Sequence, residues 1–278
     1  MIRRSLLVAL VLALGYALFL RVVKVDWDTT QHLANGNRIK AEKFIFAAPD
    51  SFRTVIIGSS LAYLFDLDSF PARTANLGFA GMSIYDGAEL ILRSGKRPSV
   101  VLLETNILFR KPDAAFLDAL FAPGIYQLHR AVPMMREQNQ PSGVLYGWLR
   151  AQGRGMVPAP MDTTDTATPS MLERVKQDYA KLPEAAEQRE RMDMLAGYVG
   201  RLEAAGAEVR FFEAPVNPVA GESPLADLQR KLLQERFPDH PVIRVPPGSR
   251  WRTSDGLHLI KADANRFSGV LARAAGLR

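Results

Sequence analysis

In the stretch TVIIGSSLAYLF, residues 54–65, a β-rich apolar run stops abruptly on Gly58, Ser59 and Ser60. Far downstream, TSDGLHL carries Asp255 and His258 three positions apart in a glycine-containing loop. A serine hydroxyl is a weak nucleophile until a base takes its proton, and that base needs a third group to orient it. The D-x-x-H spacing lets one loop present both, the carboxylate accepting from one ring nitrogen while the other nitrogen faces a hydroxyl. The competing reading is a loop aspartate that caps the next segment beside an incidental histidine. The other three histidines read as structural: His32 lies in a polar N-terminal stretch, His129 beside Arg130, and His240 in a proline-flanked surface turn.

The elements that must position these groups alternate in type. Five stretches read as strands: TVIIG from Thr54, RTANLGF from Arg73, SVVLLE from Ser99, EVRFFEA from Glu208 and VIRV from Val242. SVVLLE is continuously apolar, as in a parallel sheet covered on both faces. Helical spacing appears in Ile84, Ala88, Ile91 and Leu92, in Leu195, Tyr198, Val199 and Leu202, and in Phe267, Val270, Leu271 and Ala274. Ser170 with Glu173 forms a capping-box pattern, Pro183 should break or kink the helix that follows, and Gly206 is placed to stop the next one. Ser223 and Pro224 open a further helix at the cap and first-turn positions. Strands alternating with helices predict a three-layer α/β/α sandwich around a mostly parallel five-stranded sheet. Sites in such sheets collect beyond the carboxyl ends of the strands, where Ser60 and Asn106 both fall.

Four blocks in this order resemble the SGNH, or GDSL-type, hydrolase superfamily. Gly58-Ser59-Ser60-Leu61 is similar to its G-D-S-L block, with Ser59 in place of the aspartate. NLGFAG, from Asn76 to Gly81, resembles N-x-x-x-x-G, with Gly78 a nearby competitor for the role of Gly81. Glu104-Thr105-Asn106-Ile107 keeps the asparagine of the G-x-N-D block, and Asp255-Gly256-Leu257-His258 resembles the last block. The resemblance implies a catalytic set of Ser60, Asp255 and His258. It implies an oxyanion hole built from the N–H groups of Ser60 and Gly81 and the amide of Asn106. It implies neither a cofactor nor a metal, and the sequence offers no phosphate loop and no acidic–histidine cluster with ligand spacing.

Outside that body, Arg3 and Arg4 precede sixteen uncharged residues, Ser5 to Leu20, followed by Arg21 and Lys24. A bilayer core needs about 20 residues, and snorkelling arginines with Val22 and Val23 extend the run. Residues 1–24 therefore read as an uncleaved membrane anchor. A cleaved signal peptide competes, although no small-x-small site follows the run; a buried helix of a soluble protein is the third reading. Held with Arg3 and Arg4 inside, the anchor sends the remainder out of the cytoplasm, into the periplasm or its equivalent. Residues 25–50 read as a stalk with a short helix, and 51–278 as the catalytic domain. Residues 122–169 read as an insertion with one helix near Tyr126–Arg136, whose Tyr146 and Trp148 either line an acceptor groove or decorate a surface excursion.

The composition leaves these readings open. The chain is 47% hydrophobic, carries a formal charge of +6 and has no cysteine, which excludes disulfides and thiolate metal sites. Its basic residues form no dense block; Arg189 and Arg191 alternate with Glu190 and Asp193, which argues for a solvated face and against a nucleic-acid surface. An N-terminal anchor before degenerate SGNH blocks resembles the membrane-anchored acyltransferases of that superfamily. The resemblance implies transfer of acetyl or other acyl groups onto hydroxyls of a surface or exported polysaccharide, with a separate multi-span membrane acyltransferase as donor. Hydrolysis by the same residues, as in a carbohydrate O-acetylesterase, and a non-catalytic scaffold in polysaccharide biosynthesis are the alternatives.

Overall fold

Thr54, Val55, Ile56 and Ile57 are all buried because a strand runs on either side of them and helices cover both of their faces. The computed structural model describes residues 2–23, 25, 27–153, 161, 166–245 and 250–277. In chain order the elements are α1 (Ile2–Val22), α2 (Leu33–Ile45), β1 (Thr54–Gly58), β2 (Thr74–Gly78), α3 (Ile84–Ser94), β3 (Val100–Glu104), α4 (Ala114–Phe121), α5 (Pro123–Ala131) and α6 (Pro141–Ala151). There follow α7 (Pro169–Tyr179), α8 (Ala185–Ala204), β4 (Glu208–Phe212), α9 (Pro218–Gly221), α10 (Pro224–Arg236), β5 (Val242–Ile243) and α11 (Lys261–Ala274). The chain divides into two compact units, one of Met1–Phe46 with Asp118–Pro160 and one of Ala47–Leu117 with Met161–Arg278.

The second unit holds the sheet, five strands in the order β2-β1-β3-β4-β5, all parallel. Successive side chains of a strand point to opposite faces, and β1 uses both. Ile56 joins Leu102, Phe212, Phe267 and Leu271 in one cluster, so α11 covers that face. Ile57 faces Gly87 of α3, and α3 packs on α8, which covers the other. Phe65, Phe212, Phe267 and Trp251 meet at tilted and edge-on angles in the α11 layer, which favours ring quadrupoles over face-to-face stacking. The chain turns away from β1 in opposite directions to β2 and to β3, so the sheet's topological switch point lies beside the carboxyl end of β1.

Several ends differ in detail from the sequence pattern. The cap of α7 is Thr168, whose hydroxyl accepts from Met171 N, and Pro169 takes the first-turn position; Ser170 is inside the helix. A proline favours that position because its missing N–H would lack an intrahelical partner there anyway. Pro183 stands between α7 and α8, four residues past the end of α7 at Tyr179. Ser223 caps α10 by accepting from Ala226 N. Arg244 and Val245, read as strand, follow β5 as irregular chain.

The first unit contains α1, α2, α5 and α6. Residues 25–50, expected to form a stalk with a short helix, carry α2, where Ile39, Ala41, Phe44 and Ile45 are buried. Its Glu42 is 2% exposed and accepts from Glu137 N at 2.6 Å, with the His129 ring at 2.9 Å. The expected insertion is mostly helical, α5 and α6 being joined by two 3₁₀ turns, Pro133–Met135 and Glu137–Asn139. Prolines at 123, 133 and 141 each start a turn, which is why one long helix does not form. Residues 154–160 and 162–165 of the insertion lie outside the described residues.

Gly58 ends β1 because the chain folds straight back over it. A methyl group at Gly58 would lie 2.5 Å from the Ala62 Cβ and 2.9 Å from a Glu104 oxygen. We expect Gly58→Ala to lower stability by roughly 1–3 kcal/mol through overpacking. Gly200→Ala, in an open stretch of α8, should raise it by about 0.5–1 kcal/mol. Urea midpoints of the two variants check this; equal midpoints would remove the steric account of Gly58.

Candidate active site

Gly58 pairs with Gly78, and Ile57 with Leu103, so β1, β2 and β3 reach their carboxyl ends at one level, with Gly58 opposite Glu104. The chain leaves β1 through Ser59 into a 3₁₀ turn, Ser60–Ala62. Three side chains fix that turn. Ser59 Oγ accepts from Leu61 N at 3.2 Å, Asn76 Nδ2 donates to Ala62 O at 2.8 Å, and Asn76 Oδ1 accepts from Gly78 N at 2.7 Å. Gly78 is as constrained as Gly58, since a Cβ there would lie 2.8 Å from the Ala62 carbonyl carbon. Ser59 is wholly buried, whereas Ser60 keeps partial exposure.

The structure brings Ser60, His258 and Asp255 together. His258 Nε2 lies 2.8 Å from Ser60 Oγ, and His258 Nδ1 lies 2.7 Å from Asp255 Oδ2. The other Asp255 oxygen accepts from the backbone N–H groups of Leu257, at 2.9 Å, and His258, at 2.8 Å. Burial alone would raise the Asp255 carboxyl, but the His258 ring and these backbone donors outweigh it and hold the group at about 2. A carboxylate on Nδ1 selects the tautomer whose Nε2 accepts, the one able to take a hydroxyl proton. An antiparallel bridge, Thr253 to Leu259, closes the loop, and Ser254 N donates to His258 O. Gly256 sits at φ +99 with Leu172 and Val175 at 3.0 and 3.2 Å from where a Cβ would be, so the turn takes glycine on both counts.

Gly81 lies on the loop leaving β2 at φ +74 with open space beside it. That loop is tied at Met82, whose carbonyl accepts from Arg110 Nη1 at 3.2 Å. It is tied again at Ser83, whose N–H and hydroxyl donate to buried Asp86. Among the described residues, no acceptor takes the Ser60 or Gly81 N–H. Asn106 is clamped to the chain leaving β4: its Oδ1 accepts from Ala214 N at 2.7 Å and its Nδ2 donates to Ala214 O at 2.9 Å. An amide has two N–H donors, so the clamp leaves one.

Sequence reasoning passed over Glu104, a carboxyl with no exposure at the end of β3. Its Oε2 accepts from Ser59 N at 2.8 Å, and Ser59 Oγ lies 2.9 and 3.0 Å from its two oxygens. Burial raises the group to about 7, against the pull of the Ser59 hydrogen bonds and the positive field of Arg110 and His258. The available signal was an acid ending an otherwise apolar strand. Tyr179 of α7 was missed as well; burial, with the charges of Glu104 and Asp255, pushes its phenol up to about 12. The remaining histidines have other partners: His32 caps α2 by accepting from Asn35 N, His129 meets Glu42 and His240 meets Glu203. Trp148 stands beside Tyr16 and Trp27 in the first unit, and Arg150 lies over the Tyr146 ring.

The arrangement offers a hydroxyl in contact with an oriented imidazole, on a residue whose own backbone N–H meets no acceptor among the described residues. Compared with protein-family models and with curated proteins, the sequence finds no match.

The buried Glu104 sets a pH dependence of stability. Between the usual glutamate value of 4.5 and about 7, the folded chain holds a proton that the unfolded chain has released. Stability contributed by this group is thus full below that window, falls as pH rises through it, and levels off above. Asp255 acts in the opposite sense: its contribution is present above the ordinary aspartate range and is lost as pH falls toward 2. Glu104→Gln keeps a donor and an acceptor without the charge. Its urea midpoint, relative to wild type, should rise between pH 5 and pH 8; a constant difference would exclude Glu104 as the source.

Proposed function

We propose that this chain is a serine-dependent acyl-transfer enzyme of the SGNH type, with Ser60 as nucleophile, His258 as general base and acid, and Asp255 as its orienting carboxylate. The Ser60–His258–Asp255 relay, with both contacts inside hydrogen-bond range, is the observation that carries the reading. Ser60 Oγ attacks the carbonyl carbon of an ester donor while His258 Nε2 takes the hydroxyl proton. The resulting oxyanion is met by the N–H groups of Ser60 and Gly81 and by the remaining N–H of Asn106. Collapse breaks the bond to the donor alcohol, which leaves with the proton from His258, and the acyl group stays as an ester on Ser60. An acceptor hydroxyl then attacks that ester, passes its proton to His258, and collapse restores Ser60.

The departures from the resembling blocks support the reading when taken as a pair. The chain has serine at 59 where that superfamily has aspartate, and Glu104 where it has glycine. These two side chains touch, so the exchange keeps one carboxyl beneath the turn that carries the nucleophile.

The acceptor we propose is a hydroxyl of a surface or exported polysaccharide, and the donor a multi-span membrane acyltransferase. The support is architectural: α1 is long and apolar enough to cross a membrane. Arg3 and Arg4 in its first turn would stay inside, and the catalytic unit would then lie on the extracytoplasmic side. Water in place of the acceptor would make the same relay a carbohydrate esterase.

A fluorophosphonate probe should add once to the wild-type chain, by intact mass, and not to Ser60→Ala. Folded wild-type protein that takes no label would return Ser60 to the role of a turn residue. With labelling established, Asp255→Asn should lower turnover of an aryl acetate about 10⁴-fold by favouring the wrong tautomer. Asn106→Ala should lower it about 10²–10³-fold through loss of an oxyanion donor. Acetyl groups retained on an added glycan indicate transfer, and free acetate alone indicates hydrolysis.

A further inference from the structure

Outside α1, large apolar side chains that remain exposed are concentrated in one short region. Of ten such residues among those described, six lie between Ile125 and Leu149: Ile125, Leu128, Met135, Leu145, Trp148 and Leu149. Leu145 is 57% exposed although α6 also buries Gly143, Val144 and Gly147. The helix therefore has a packed face and a separate bare apolar face.

The bare face is held at a definite height on α1. Tyr16 Oη donates to Asn139 O at 2.7 Å, and Trp27 Nε1 donates to Val144 O at 3.0 Å. Tyr16 precedes Arg21, the charge that ends the apolar run, by five residues. At 1.5 Å rise per residue its Cα lies roughly 7 Å inside that level, and helical side chains lean further toward the N-terminus. Amphipathic helices on a membrane surface bury their apolar face about 5–10 Å into the headgroup–acyl boundary, the same depth. Tyr16, Phe19, Trp27, Val144, Leu145 and Trp148 line one open groove of about 560 Å³ there, continuous with α1. Tyr and Trp, apolar bodies with a polar tip, are the residues that settle at this depth.

We propose that the bare α6 surface is a monotopic membrane face, seated in the interfacial layer of the leaflet from which the C-terminal end of α1 emerges, with lipid acyl chains in the groove. The occupant follows from continuity: a bilayer spanned by α1 reaches the height at which α1 holds Asn139, so lipid meets this face without any further partner. The inference rests on α1 spanning the membrane and is independent of the chemistry at Ser60.

The chain has no cysteine, so single cysteines in the full-length protein give unique labels. Leu145→Cys and Leu149→Cys test the surface, and Leu18→Cys reports on α1. Each variant is labelled with an environment-sensitive fluorophore and reconstituted into phosphatidylcholine–phosphatidylglycerol vesicles carrying a spin label near the top of the acyl chain. Quenching at 145 and 149 as strong as at 18 is expected. Quenching at 18 alone would overturn the proposal and reserve the groove for a protein partner. Quenching at none of these positions would take α1 out of the bilayer and the proposal with it. Both results would leave the fluorophosphonate outcome for Ser60 untouched.

Discussion

A carboxyl group without access to water is the constraint around which this molecule is arranged. Glu104 can sit beneath the end of β1 because Gly58 has no side chain there and because Ser59 supplies both an N–H and a hydroxyl. Each of the three depends on the other two. A buried, uncompensated acid costs several kcal/mol, and a side chain at 58 would displace the acid or the turn above it. The parallel register that sets Gly58 opposite Glu104 therefore fixes the height of Ser60 as well. On the acyl-transfer reading, Glu104 is a positioning residue, since its contacts run through Ser59 to the serine turn.

The opposite side of the site is built on another plan. Ser60 is held by the sheet, whereas His258 and Asp255 share a closed loop with its own backbone bridge and a glycine pressed against α7. A carboxylate with three donors is pre-organised before anything binds, so little reorganisation is needed when a proton arrives at Nε2. Asn106 follows the same logic. Its double clamp to Ala214 immobilises the side chain, so the amide proton that remains has a fixed direction.

The strands were legible because both their sources of information were local. Apolar runs such as Thr54–Gly58 and Val100–Glu104 mark buried strands, and each of the five strands falls inside the stretch that the sequence assigns to it, β5 filling only Val242–Ile243 of its stretch. The pairing of Ser60 with His258 was legible through chemistry, since each residue type asks for the other. Glu104 was not, because its role depends on register: only alignment of β1 with β3 shows that an acid at the end of one strand faces a glycine at the end of the other. The buried side of α2 was illegible for a related reason. α2 has mixed polarity along the chain, and its polar Asn35 and Glu42 become interior residues only once residues near 137 supply their partners. Local periodicity carries no record of partners about a hundred residues away.

The linear order of the chain adds a property in time. Ser60 and His258 are 198 residues apart, and ribosomes add about 5–20 residues per second, so the hydroxyl exists for roughly 10–40 s before its imidazole has been made. During that interval the serine is an ordinary alcohol. Closure of the last loop over α7 is thus also the event that first brings the imidazole to the hydroxyl, and a nascent chain interrupted before it would lack that contact while already carrying the apolar helix α1.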